Sequence, residues 1–230
     1  MPEDNRTSRG ALAYWFDIAP EVTGEWLQWY LHDHMPSRVG TVFVTGRCYE
    51  RIAGEASHMV LFETATPEDL LGPAYLALLG NVSEEDRQRR GWYSNTVRVT
   101  CRVAGRSGRG IGGVLGVIRI RVDGSRLDQV RLGLQNDVLP KITSGERIGS
   151  VWVLENDKEL RARMDAARVT GHQDGSADFA VLIEAGHDED LAAVMDGVGQ
   201  MDAWRALGLS ETSVFERYRL LYTMTQADDV

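Results

Sequence analysis

The chain is poor in the residues that most readily announce chemistry. Its 230 residues include two cysteines and five histidines. Cys48 and Cys101 have no ligand-type spacing, which excludes a cysteine-built zinc site and a disulfide framework. They sit in apolar, strand-like runs and read as reduced core residues. Basic charge is also scarce. Lys and Arg total 25 against 34 Asp and Glu, a formal net charge of −9, so neither a nucleic-acid backbone nor an anionic membrane is the expected partner. No window approaches the roughly 18 consecutive apolar residues of a membrane span. The N-terminal "MPEDNRTSRG" lacks the apolar stretch of a secretory leader and reads as a polar lead-in, so the expected location is the cytoplasm. No nucleophile-elbow motif is present, and no cysteine lies near a plausible base. No set of His, Cys and carboxylates has metal-ligand spacing, so neither metal nor cofactor is expected.

What is present is a repeated order of elements. "GALAYWFDIA" reads as a strand, "PEVTGEWLQWYLHDH" as a helix ended by Pro36, and "TVFVTGRCYERI" and "SHMVLFETA" as strands. "TPEDLLGPAYLALLGN" reads as a helix with Thr66 as N-cap, and "NTVRVTCRVA" as a strand. The order is βαββαβ. "GRSGRGIGG", residues 105–113, holds five glycines and reads as a linker. A strand follows it rather than a helix, which argues against a phosphate-binding loop. From residue 114 to 225 the order repeats, with one addition: "DKELRARMDAARVTGHQDG" stands between the second and third strands of this half. Glu63, Glu68, Asp69 and Leu70 align without gaps with Glu184, Glu189, Asp190 and Leu191. "DHMP" and "DVLP" close the two first helices. The expected fold is α+β, with ferredoxin-like units at 11–104 and 114–225. Each unit leaves one sheet face bare, and packing the two faces together buries both.

The tandem order, together with "WLQWYLHDHMP", resembles the dimeric α+β barrel superfamily and, within it, the EthD-like proteins. There an aromatic residue, an acidic residue, a histidine and a proline recur at the end of the first helix. Trp29 and Tyr30, Asp33, His34 and Pro36 occupy those places here. The resemblance implies a ligand pocket between sheet and helices in each unit. It implies functions ranging from cofactor-free monooxygenases, lyases and isomerases to haem enzymes and non-catalytic accessory proteins.

At helical spacing Trp26, Tyr30 and His34 share one stripe, which should face the sheet. His34, on the last turn before Pro36, is the candidate general acid or base, titrating near neutrality. Its structural alternative is a cap on the last carbonyls. His32 points elsewhere on a regular helix and reads as solvent-facing, so the two histidines cannot share a metal. Trp26, Trp29, Tyr30, Arg47, Tyr49, His58, Tyr75 and Trp92 are the candidate ligand-binding residues. Aromatic rings would wall an aromatic ligand, and Arg47 and Tyr49 would reach a carboxylate or phenol. Val138 replaces His34 in the second half, so the first half is expected to carry the site. The function expected is binding, with or without transformation, of a small apolar or aromatic compound. Homodimerisation on top of the internal repeat is left open.

Overall fold

The computed structural model describes residues 9–145, 147–169 and 173–226. Most of the polar N-terminal stretch, and His172 in the added segment, lie outside the described residues. The first half runs β1 (Gly10–Asp17), α1 (Thr23–Trp29) with a π turn at Tyr30–His34, β2 (Thr45–Ala53) and β3 (His58–Thr64). A 3-10 turn (Pro67–Leu71) leads into α2 (Pro73–Gly80), then α3 (Glu84–Arg90) and β4 (Ser94–Gly108). The second half runs β5 (Val114–Ile120), α4 (Leu127–Gly133), a π turn (Leu134–Val138), α5 (Leu139–Thr143) and β6 (Ile148–Asn156). It ends with α6 (Lys158–Ala167), β7 (Phe179–Ala185), α7 (Asp188–Gln200), α8 (Asp202–Ala206) and β8 (Ser213–Thr225). Among the described residues no helix is long and apolar enough to cross a membrane.

Alternation along the strands sets the layers. Successive side chains point to opposite faces of a sheet. On β1, Ala11, Ala13 and Trp15 join one core, while Leu12 and Phe16 join another. The eight strands form a closed antiparallel barrel in the order β1-β3-β2-β8-β5-β7-β6-β4. The first core is the barrel interior, filled from both halves by Trp15, Tyr49, Trp152 and Tyr218. The outer faces are covered by helices, those of the first half together with α6 over one core and the other second-half helices over another. The expectation of two sheets stacked face to face needs one correction. Their edges are also hydrogen-bonded, β2 to β8 and β4 to β6, so no strand is left as an edge.

The glycine-rich stretch is not all linker. Gly105 to Gly108 belong to β4 and pair with β6 through a register shift after Val103. Glycine is required at the end of this run. Gly108 has φ +78, and a Cβ there would lie 2.3 Å from the Gly149 carbonyl oxygen. The segment left between β4 and β5 is 109–113.

Candidate functional site

The first-half helices do not press flat onto the barrel. A pocket of about 670 Å³, counting its mouth, lies between them and the outer faces of β1, β3 and β4. Leu12, Val60, Phe62 and Phe43 make its apolar base, with Leu79 from α2. Four tyrosines line it: Tyr14 on β1, Tyr30 on the π turn, Tyr75 on α2 and Tyr93 just before β4. His34 lines it as well, with the guanidinium groups of Arg38, Arg90, Arg98 and Arg168.

The π turn places His34. The Met35 amide donates to the Tyr30 carbonyl at 2.8 Å, five residues back, so the helix widens by one residue. The His34 ring stacks on Tyr30 at 4.9 Å between centroids and lies 4.6 Å from the Trp29 ring. The residue is half-buried, but Nδ1 is shut away from solvent with no hydrogen-bond partner among the described residues. Burial first, then the cations of Arg38 and Arg90, hold its pKa well below the ordinary histidine range. The expected titration near neutrality is therefore corrected: at neutral pH the ring is an uncharged imidazole, able to accept a proton or to ligate a metal. His32 is exposed.

Of the residues singled out from the sequence, Tyr30, His34 and Tyr75 meet in the pocket. Trp26 and Trp29 do not line it; they are buried behind it. Trp26 Nε1 donates to the Tyr93 hydroxyl at 2.9 Å and Trp29 Nε1 to Asp86 at 3.1 Å, which fixes α1 against α3 and its neighbours. Arg47 and Tyr49 are corrected outright. Strand alternation turns both into the barrel interior, where Arg47 bonds Glu63 at 2.7 Å and Glu184 at 2.5 Å. His58 is buried beside the pocket rather than in it, 4.7 Å from the Trp26 ring, with Nδ1 2.9 Å from Ser57 Oγ. Trp92 is half-buried and outside the lining; one residue on, Tyr93 takes the place expected for it.

Tyr14, Arg38, Arg90, Arg98 and Arg168 were not foreseen. They are far apart in sequence, and the sheet register, the turn after His34, α3 and the added segment together bring them to one place. That segment starts in the second half but folds over the first. Leu160 and Met164 of α6 enter the first-half core, and Gly175 bridges to Val97 of β4. Asp174, whose side chain is fully buried, accepts from Tyr14 at 3.2 Å and Arg168 at 2.7 Å and lies 3.1 Å from Arg98 Nε. Burial pushes the Asp174 carboxyl up, but these bonds and charges outweigh it and hold its pKa below the ordinary value. Burial and the neighbouring arginines push Arg98 down to about 10.

The matching space in the second half is filled. Leu134 and Val138 stand where Tyr30 and His34 stand, both at 0% exposure. Gly133 replaces Trp29, and Leu207 packs where a Cβ would be, 2.6 Å away.

No known family model matches the chain, and no curated protein does. Solved structures do. An anthrone oxidase-like protein superposes with a TM-score of 0.67 at 11% identity, covering 99% of this chain and 96% of the other. A provisionally named monooxygenase of Fusobacterium nucleatum subsp. nucleatum gives 0.61 at 5% identity, covering 96% of each chain. The fold resembles that of dimeric α+β barrel proteins. A provisionally named chlorite dismutase gives 0.55 at 8% identity, covering 94% of this chain and 96% of the other. At these identities the likeness is one of fold.

Proposed function

We propose that this chain binds a small aromatic compound in the first-half pocket and transforms it by an oxygenase-type reaction begun by proton removal at His34. The observation that carries the reading is the half-buried His34 imidazole, its Nδ1 without a partner among the described residues, at the wall of a tyrosine-lined cavity with an apolar base. A buried neutral histidine can take a proton from an acidic C–H or O–H beside an arene, and the ring system spreads the charge left behind. For a methylene between two arenes the overall change is balanced by dioxygen: one CH₂ and one O₂ become one C=O and one H₂O, the carbon oxidised and both oxygen atoms reduced. The likeness in fold to an anthrone oxidase-like protein supports this chemistry. The chain reads as two ferredoxin-like units in tandem, since each half shows the same strand order, β4-β1-β3-β2 and β8-β5-β7-β6. The second unit supplies half the barrel core and the covering segment. The EthD-like assignment rests on the tandem order of elements and on "WLQWYLHDHMP".

Oxygen uptake with anthrone as probe, followed with the product's absorbance, tests the reading. His34→Ala should lower the rate by about 100-fold or more with the circular dichroism unchanged. Turnover at the wild-type rate would remove His34 from the chemistry. Binding without oxygen uptake would mark an accessory binding protein. A haem-binding reading draws support from the likeness in fold to a provisionally named chlorite dismutase, with His34 as the histidine at hand. A Soret band after reconstitution, lost in His34→Ala, would establish it.

A further inference from the structure

Four guanidinium groups reach the pocket, and they are not equivalent. Arg98 and Arg168 are both held by the buried carboxylate of Asp174 and by Asp165. Their charge is answered within the protein, and they anchor the covering segment. Arg38 is different. It is 8% exposed. Its Nη1 donates to the His34 carbonyl at 2.8 Å and to Ser37 Oγ at 2.7 Å. Among the described residues no carboxylate pairs with it. A guanidinium withdrawn from water with no counter-charge is a costly arrangement, and an anion placed beside it relieves that cost.

The surroundings suit such an anion. The hydroxyls of Tyr30 and Tyr75 make no hydrogen bond to the described residues, and the Tyr93 hydroxyl accepts from Trp26 and keeps its own proton to give. An ionised oxygen takes bonds from guanidinium and phenol donors more strongly than a neutral one does. Phe43 and Phe62, 4.8 Å apart between centroids, lie ready for the ligand's ring. A chain with net charge −9 attracts no anion in general, so selectivity for one would have to come from this pocket.

We infer that the ligand is an aromatic anion, a carboxylate or a phenolate, whose charged group sits on Arg38, and that Arg38 determines specificity. This rests on the reading of the pocket as a site for an aromatic compound. The test compares probes of one shape and different charge: 2-naphthoate against 2-naphthamide, and 4-nitrophenolate against 4-nitroanisole, by fluorescence or absorbance titration of the full chain. At least one anion should bind the wild type about tenfold more tightly than its neutral partner. Arg38→Met should erase that preference and leave the neutral probe's affinity within about twofold, while Arg38→Lys keeps part of it. Which pair shows the preference identifies the ligand's charged group. Equal binding within both pairs in the wild type overturns the inference and leaves the aromatic pocket standing, and it needs no variant to fold. A preference that survives in a folded Arg38→Met protein overturns it too. No binding of any probe would overturn the pocket reading and this inference together.

Discussion

His34 and Arg38 are four residues apart and bonded to one another through the His34 carbonyl, yet they differ in how plainly the sequence announced them. His34 stood out because histidine is rare here and two lie close together. Arg38 did not, because arginine is common and what sets it apart is burial without a carboxylate. Burial also makes His34 a pH sensor of stability. The groups around it, Tyr30, Arg38 and Arg90, either stay neutral or add positive charge. The folded pKa is therefore depressed, and the unfolded chain titrates near the ordinary value of about 6.5. Below that value the unfolded state binds more protons than the folded state, so stability falls as the pH falls from about 6.5 toward the folded pKa. His34→Phe keeps an aromatic ring and removes the titration. Thermal melts of the two proteins should run parallel from pH 8 to 7 and separate below about 6.5, the wild type losing more. His58 and the carboxylates titrate in both proteins and cancel in the difference. A constant difference down to pH 5 would show that His34 is not held neutral by the fold.

The elements followed the hydrophobic pattern closely, since strand alternation and helical stripes are local and the order βαββαβ was visible twice. What escaped the pattern depends on contacts between distant segments, or on one residue's backbone. Pro36 and Pro140 read as helix ends; the first helix does stop before Pro36, whereas in the second half α5 runs through Pro140, and in both halves the preceding turn widens into a π turn. Proline lacks the N–H for the bond four residues back and its ring crowds that carbonyl, so a five-residue bond just before it is one way through. The added segment was visible as an insertion, but nothing local said that it would cover the other half. Asp174 is its fastening. Replacing it with alanine leaves Arg98 and Arg168, among the described residues, with the half-exposed Asp165 as their one carboxylate and removes an acceptor of the Tyr14 hydroxyl. Breaking a buried pair in this way costs about 3–5 kcal/mol. Part of that should appear as local opening. Asp174→Ala should lower the melting temperature and raise amide exchange in 158–169 and 173–176 more than in β5 or β7. Uniform exchange across the barrel would show that the segment is not held separately by this contact.

At the scale of the whole molecule, the two halves are joined by backbone pairing along two seams and by charges inside the barrel. Interior charges were the part least available from sequence, because an arginine on a strand is usually exposed. Arg47 is fully buried, with Glu63 of its own half on one side and Glu184 of the other half on the second. The two glutamates were aligned as repeats from sequence. By strand register the repeat position of Arg47 is Trp152, since Arg47 pairs with Leu61 and Trp152 with Leu182, and the guanidinium carbon lies 5.3 Å from that indole. Glu184 is further held by the Gly112 amide at 3.0 Å, which ties the inter-half segment to the cluster. Burial pushes Glu184 up, and Arg47 is the chief influence against it. Replacing Arg47 with leucine fills the space but takes from buried Glu184 its one ion-pair partner among the described residues, while Glu63 keeps Arg9 and Arg106. The cost should be about 3–5 kcal/mol at neutral pH, read as a lower urea midpoint with an unchanged slope, because one closed barrel should unfold in one step. The sign of the pH dependence then separates electrostatics from packing. In the variant Glu184, already pushed up by burial and now without Arg47, should have a folded pKa above the unfolded value of about 4.3. The folded state then binds the extra proton, so the variant should regain stability relative to wild type as the pH falls through that raised value. A deficit that stays the same from pH 8 to pH 5 would mean that Arg47 contributes by filling the barrel and not by pairing the halves.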